Sequence, residues 1–172
     1  GGSLTSITAS ANTTGSVITF GTIGLITSNI TSIGEINLTA VSGATVDLAG
    51  HVYATTIGTI TASGAGTINM DATASAITTI EQFNAGSASG TVAVDYTAAS
   101  VAITATMGTG TNTYVAGYGG DVVTLASGDG TDIVEFTANA AAEEVVTIHN
   151  FTSATDKIRF DSSDIQVSAA FD

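Results

Sequence analysis

A loose internal repeat is the feature that most constrains this chain. The segments TSIGEINLTAVSGATVDLAG (31–50), TTIGTITASGAGTINMDA (55–72) and TTIEQFNAGSASGTVAVDY (78–96) follow one plan, with a period of about 22–24 residues. Each unit contains short runs in which apolar and small polar residues alternate, and glycine separates the runs. A short strand unit of this kind cannot bury its apolar face alone, so successive units must stack on one another.

The repeat aligns equivalent apolar residues. The first anchor is Ile33, Ile57 or Ile80, the second is Ile36, Ile60 or Phe83, and the third is the pair Val46/Leu48, Ile68/Met70 or Val92/Val94. The segment LTSITAS (4–10) fits the same plan, with Ile18 and Phe20 as its later pair. The sequence therefore predicts an all-β fold, a parallel β-helix or β-roll solenoid. An antiparallel sandwich also uses many short strands, but it does not repeat at a fixed period.

Charged residues are few, and most of them are acidic. The 172 residues include 15 acids against 2 lysines and arginines, for a net charge of −13, and there is no cysteine or proline. This balance disfavours nucleic acid and anionic membranes as partners and favours cations. No apolar stretch reaches the length of about 18 residues that a membrane span needs, so membrane insertion is not expected. A chain without cysteine has neither disulfides nor a thiolate metal site.

Three later segments share a glycine–acid pattern. They are GTGTNTYV (108–115), GYGGDVVT (117–124) and GDGTDIVE (128–135), and they are related to a nonapeptide that binds calcium in β-helices. Ca²⁺ takes six to eight oxygens. A turn in which glycine adopts unusual backbone angles can supply carbonyl oxygens, and an acid can supply a carboxylate. The residues predicted to bind Ca²⁺ are Gly108, Gly110, Asn112, Gly117, Gly119, Asp121, Gly128, Gly130 and Asp132. The alternative is that these glycines only form turns.

In a β-roll, successive turns fall on opposite edges. Turn 108–112 should therefore stack against turn 128–132, with an ion between Asn112 and Asp132. Turn 117–121 should lie on the other edge, where the sequence assigns no partner to Asp121. The residues two places after each acid or amide should point into the core and start the next strand; they are Tyr114, Val123 and Val134.

The sequence resembles RTX-type proteins exported by type I secretion, and more closely the bacterial surface-layer proteins of that group. Three features carry the resemblance: the glycine–acid turns, the strand unit ITTIEQFNAGSASGTVAVDY (77–96), and VVTIHNFTSATDKIRFD (145–161), which is similar to the segment that follows such turns. We therefore expect one continuous solenoid in three parts. These are repeat coils over 1–106, a calcium β-roll over 107–136, and a C-terminal capping and secretion-associated segment over 137–172.

The resemblance implies an extracellular structural protein without enzymatic activity. Such a chain is exported unfolded, folds on calcium outside the cell and assembles with copies of itself into a lattice at the bacterial surface. A cell-surface polysaccharide is a further expected partner. The alternative is a calcium-folding tail module of a larger secreted adhesin or hydrolase.

Several residues have weaker functional signals. Asp71 and Asp95 follow equivalent anchors, so they could form a carboxylate pair of a polysaccharide-cleaving enzyme, although two solvated residues are the simpler interpretation. His51 and His149 belong to no catalytic motif. Lys157 and Arg159 flank Ile158 on a predicted strand and should meet nearby acids. Threonine runs such as TGTNT (109–113) are typical of ice-binding surfaces, but no threonine rank is evident at the coil period, and we do not expect such a surface.

Overall fold

The computed structural model describes residues 2–21, 23, 30–48, 52, 54–71, 79–97, 99, 101–117, 119–127, 130–136 and 145–160, apart from the side chains of 71, 79 and 81. Within these ranges, fourteen strands form two seven-stranded sheets. Sheet 1 contains β1 (Ser3–Ala11), β3 (Ile30–Ala40), β5 (Ala54–Gly64), β7 (Thr79–Ala88), β9 (Thr104–Thr106), β11 (Val122–Thr124) and β13 (Thr147–His149). Sheet 2 contains β2 (Val17–Thr19), β4 (Thr45–Leu48), β6 (Thr67–Asp71), β8 (Thr91–Asp95), β10 (Asn112–Val115), β12 (Ile133–Phe136) and β14 (Lys157–Phe160).

The chain visits the two sheets alternately. Each strand pairs in parallel with the strand two elements away in sequence, as β3 does with β1 and β5. The backbone therefore winds as a β-solenoid in which each coil contributes one strand to each sheet, which confirms the predicted fold class. The antiparallel sandwich is excluded, because the ladders between the described strands are parallel. The described residues include no helix with the length and apolar character needed to cross a bilayer.

The repeat anchors form inward columns. Ile33 pairs with Ile57, and Ile57 pairs with Ile80, as the alignment predicts. The second anchors, Ile36, Ile60 and Phe83, stack in the same way, and all three are 0% exposed. In sheet 2, Val46/Leu48, Ile68/Met70 and Val92/Val94 continue the core. The core is thus a stack of apolar layers, one from each coil.

The coils shorten toward the C-terminal half. Thr39 and Ser63 occupy neighbouring coils 24 residues apart, whereas Asn112 and Asp132 are 20 apart and Ile103 and Asp121 are 18 apart. In sheet 1 strand length falls in parallel, from 11 residues in β3 and β5 to 3 in β9 and β11, whereas in sheet 2 it stays at 4 or 5 residues from β4 to β12. The shorter coils lie where the sequence predicts the β-roll, and they have less apolar side chain to bury.

The outer face of sheet 1 carries a continuous polar rank. Backbone register aligns one outward residue from each of its seven strands, namely Thr8, Asn37, Thr61, Asn84, Thr106, Thr124 and His149. Four of these seven residues are threonine, and asparagine or histidine holds the other three positions, so the described strands carry no unbroken threonine rank. The mixed alignment escapes a fixed-period search because coil length varies.

A column of glycines lets the coils approach each other at one edge. A Cβ on Gly90 would lie 1.9 Å from the carbonyl oxygen of Gly66, and a Cβ on Gly110 would lie 1.8 Å from that of Gly90. We expect Gly90→Ala to lower the free energy of unfolding by about 3 kcal/mol, because two backbones must separate. Gly21→Ala, where a Cβ meets nothing within 4 Å, is the control and should change little. Urea unfolding followed by circular dichroism measures both, and equal effects would contradict the packing argument.

Candidate metal-binding site

The described residues of the two predicted turns stack as expected: residues 130–132 lie against residues 110–112. Thr113 pairs with Ile133, and Ile133 pairs with Lys157, so the preceding residues Asn112, Asp132 and Asp156 share one register position in three successive coils. In the earlier coils that position holds the apolar residues Val92, Ile68 and Val46. An inward apolar column therefore becomes a polar column at Asn112. Gly128 of the predicted site lies outside the described residues.

Asn112 contacts Asp132 directly. Its Nδ2 donates to Asp132 Oδ1 at 2.8 Å, and its backbone N–H donates to the same oxygen at 3.1 Å. The same Nδ2 also donates to the carbonyl oxygens of Gly108 at 2.8 Å and Gly110 at 3.0 Å. The sequence placed an ion between the two side chains; the structure places the amide nitrogen of Asn112 among three oxygens at that point.

The other amide atom of Asn112 has no partner. Asn112 is 1% exposed, and its Oδ1 is the one buried side-chain polar atom of the described residues without a hydrogen bond. A buried acceptor without a donor is unfavourable by about 1–3 kcal/mol. A half-turn about the Cβ–Cγ bond would exchange Oδ1 with Nδ2 and line the position with four oxygens. Oxygen is the donor that Ca²⁺ prefers, and these would be four of the six to eight oxygens that the ion takes; calcium binding at this position stays a prediction.

Asp156 extends the polar column into the last described coil, and sequence reasoning missed it. Its Oδ1 accepts from the backbone N–H of Asp132 at 3.2 Å, and its Oδ2 accepts from the N–H of Thr152 at 2.7 Å. The segment TSATD repeats the four-residue step from Gly108 to Asn112 but lacks glycine, which hid it. Burial and the nearby Asp156 carboxylate raise the pKa of Asp132, while hydrogen bonds from Asn112 lower it, and the net shift is upward.

Asp121 lies at the opposite edge of the coil, as predicted, and it is buried among partners that the sequence did not assign. Its Oδ1 accepts from the backbone N–H of Ile103 at 2.9 Å, and its Oδ2 accepts from the N–H of Gly117 at 3.2 Å and the phenol of Tyr114 at 2.8 Å. Burial, with the Asp121 charge, raises the pKa of Tyr114 far above its ordinary value, so the phenol remains a donor. Because all three partners are donors, these contacts favour a structural role, and calcium binding by Asp121 stays a prediction.

The turn glycines are needed for space. Gly108, Gly110, Gly117, Gly119 and Gly130 have no positive φ, which corrects the expectation of unusual backbone angles. A Cβ at each would instead lie 1.8–2.5 Å from the backbone of the preceding coil. The glycines therefore let the coils come together, and the carbonyls of Gly108 and Gly110 lie close to Asn112.

The remaining candidates are dispersed. Asp71 and Asp95 pair in register, but Asp95 accepts two hydrogen bonds from Thr97 of its own turn. Arg159 forms an ion pair with Glu135 at 2.7 Å, while Asp161, the acid nearest to it in sequence, lies outside the described residues, as does His51. His149 is exposed. Within the described ranges, no three His, Cys, Asp or Glu side chains converge. Any metal at Asn112 would therefore rely on backbone and amide oxygens beside Asp132.

The structural role of Asp121 can be tested with a matched acid. Asp121→Asn removes one acceptor and turns an amide toward donors, so we expect a loss of about 3 kcal/mol in the free energy of unfolding. Asp47→Asn removes the same charge from a half-buried outer position whose side chain makes no hydrogen bond to a described residue, and it should change little. Urea unfolding at constant ionic strength separates the two; equal effects would mean that charge alone matters.

The raised pKa of Asp132 predicts a pH effect of definite sign. The folded state holds the proton more tightly than the unfolded state, so this group destabilises the fold above its raised pKa. That destabilisation is removed as the pH falls toward the ordinary value of 3.8. In calcium-free buffer, the stability of the wild type relative to Asp132→Asn should therefore rise as the pH falls. Urea titrations of both proteins across this range measure the difference, and a difference that falls would contradict the assignment.

No protein-family model, curated protein or solved structure matches this chain at the threshold applied. The candidate site has two features: an oxygen-lined position between two stacked coils, and the buried Asp121 with its three hydrogen-bond donors at the opposite edge.

Proposed function

We propose that this chain is a structural, calcium-dependent segment of a bacterial surface-layer protein, exported by type I secretion and folded outside the cell. The observation that carries the proposal is the convergence of three oxygens, from Gly108, Gly110 and Asp132, on one buried position between coils. If the Asn112 amide turned over, its orphaned Oδ1 would add a fourth oxygen to these three.

In this proposal, calcium supplies the positive charge that the acidic coils lack. The chain has a net charge of −13, and Asp132 is 3% exposed, with described partners that are an amide and a backbone N–H. A buried carboxylate without a cation is costly, as the raised pKa of Asp132 indicates. A cation at Asn112 would offset this cost in the folded state only, which couples folding to extracellular calcium.

A structural role, rather than catalysis, agrees with the placement of the acids. Asp121 is 0% exposed, and its carboxylate accepts three hydrogen bonds from the protein. Asp132 and Asp156 are also buried and accept backbone N–H groups. Side chains in these positions hold coils together and present no oxygen to a substrate in solution.

We also propose that copies of this chain associate with one another in the surface lattice.

The calcium proposal is tested by stability measurements with and without the ion. With a dissociation constant of about 10⁻⁴–10⁻³ M, typical of extracellular sites, 10 mM Ca²⁺ should add about 1.4–2.7 kcal/mol to the free energy of unfolding. Mg²⁺ at the same concentration controls for screening of the net charge. Asp132→Ala should abolish the difference between Ca²⁺ and Mg²⁺, whereas Asp47→Ala should retain it.

The decisive readouts are calorimetric titration and particle size. Calorimetry should count bound Ca²⁺ for the wild type and the Asp47→Ala variant, and light scattering should report growth of assemblies that EGTA reverses. Equal stabilisation by the two cations, or the same calcium response in Asp132→Ala, would refute the proposed site. Particles that stay monomeric in saturating Ca²⁺ would refute the lattice role.

A further inference from the structure

The outer face of sheet 1 is the second candidate for recognition, and it lies away from the calcium edge. Beside the first rank, which runs from Thr8 to His149, backbone register forms a second rank two residues earlier on each strand. Its members are Ser6, Glu35, Thr59, Gln82, Thr104, Val122 and Thr147. The two ranks together are called the hydroxyl–amide face.

The side chains of this face are accessible. The outward residues of β1, β7 and β9 are exposed, and those of β5 and β11 are half-buried. The hydroxyls of Thr61, Thr106 and Thr124 make no hydrogen bond to a described residue, and neither does the amide of Gln82. These groups are therefore available to a ligand or to water.

The face carries few charges although the chain is strongly acidic. Of its fourteen residues, Glu35 is the one acid and His149 is the one other ionisable group, while the whole chain carries −13. Glu35 also accepts a hydrogen bond from Asn37 at 3.3 Å. A polyanion gains nothing on such a face and is repelled by the rest of the molecule. The charge pattern thus disfavours a polyanion, and with one acid the face has no row of carboxylates that would hold a polycation.

The face also lacks the features of a protein interface. Val122 is the one large apolar residue among the fourteen, and it is half-buried. Protein partners rely on apolar and aromatic anchors that are fully desolvated at the centre of a contact. A flat array of hydroxyls and amides offers many donors and acceptors but no such anchor.

The spacing of the groups suits an extended polymer. Seven parallel strands at about 4.8 Å span about 29 Å, and alternate residues within a strand are about 6.6 Å apart. A chain lying across the strands would meet a hydroxyl or amide at each coil. Asn37, Gln82 and Asn84 each combine a donor and an acceptor, which fits pairs of neighbouring hydroxyls. We propose that the hydroxyl–amide face binds a neutral, unbranched polysaccharide that lies across the strands of sheet 1.

Ice is the competing regular ligand, and the structure disfavours it. The first rank mixes asparagine and histidine with threonine, and Asn84 turns its Oδ1 to the backbone N–H of Gly86 at 3.0 Å. A rigid lattice cannot follow these irregularities, whereas a flexible polymer adjusts to them. This inference gives a ligand class and a site to the polysaccharide partner expected of a surface-layer protein, and so rests on the proposed function. The hydroxyl–amide face contains none of the calcium ligands, so the two proposals are tested separately.

Affinity electrophoresis of the full chain tests the proposal. Native gels containing dextran, mannan or hydroxyethylcellulose should retard the wild type in at least one case, whereas polygalacturonate should not. Gln82→Ala/Thr106→Ala removes one group from each rank and should weaken retention at least about fivefold. The matched control is Asn69→Ala/Thr113→Ala on the outer face of sheet 2, which should bind as the wild type does. Circular dichroism verifies that both variants fold.

The control variant also tests a cleft on the outer face of sheet 2. Asn69 and Thr113 line a cleft of about 220 Å³ on sheet 2, together with Ala93, Asp95 and Val115. Loss of retention in the control variant alone would place the ligand in that cleft and overturn the proposal. Absence of retention by all three neutral polymers would also overturn it. So would thermal hysteresis of the wild type that Gln82→Ala/Thr106→Ala abolishes, since this would identify ice as the ligand. All binding assays are run both in Ca²⁺ and in EGTA, so that failure of calcium folding is recognised separately.

Discussion

Hydrogen bonding between successive coils is the constraint on which the rest of this structure depends. Every coil must match the next along both sheets, because an unpaired backbone group inside the stack is unfavourable. Strands satisfy this requirement by themselves, but turns do not. Asp121, Asp132 and Asp156 solve the problem in one way: each carboxylate accepts the N–H at the same register in the preceding coil. The acids are thus part of the ladder.

The polar column explains why the shorter coils can exist. With strands of three or four residues, β9 to β12 bury fewer apolar groups than β3 or β5. Asn112 replaces the apolar residue of the earlier coils. The later coils therefore depend less on apolar burial, and more on hydrogen bonds and charge, for their stability. Burial is insensitive to ions, whereas a buried carboxylate is not. The later coils are therefore the part of the molecule on which pH and cations act.

The fold could be predicted from the sequence because the repeat between coils and the alternation within each strand place the same residues in the core. Alternation fixed which residues face inward, so Ile57, Phe83 and Tyr114 could be placed in the core without coordinates. Stacking of turn 108–112 on turn 128–132 followed from the order of the turns. The contact between Asp121 and Tyr114 could not be predicted, since Tyr114 reaches it across the coil and no local motif encodes such a contact. Asp156 was hidden because threonine and serine replace glycine in its turn.

The same register rule that fills the core also dictates the surface, and this links the two proposed ligands. Thr106, Thr124 and His149 lie on β9, β11 and β13, which alternate in the chain with the strands that carry Asn112 and Asp132. Each of these short coils contributes one strand to each sheet, so ordering one sheet also orders the other. A cation that stabilises the polar column would therefore also order the last part of the hydroxyl–amide face. By linkage, a polymer bound across that face would raise the affinity for the cation by the same factor.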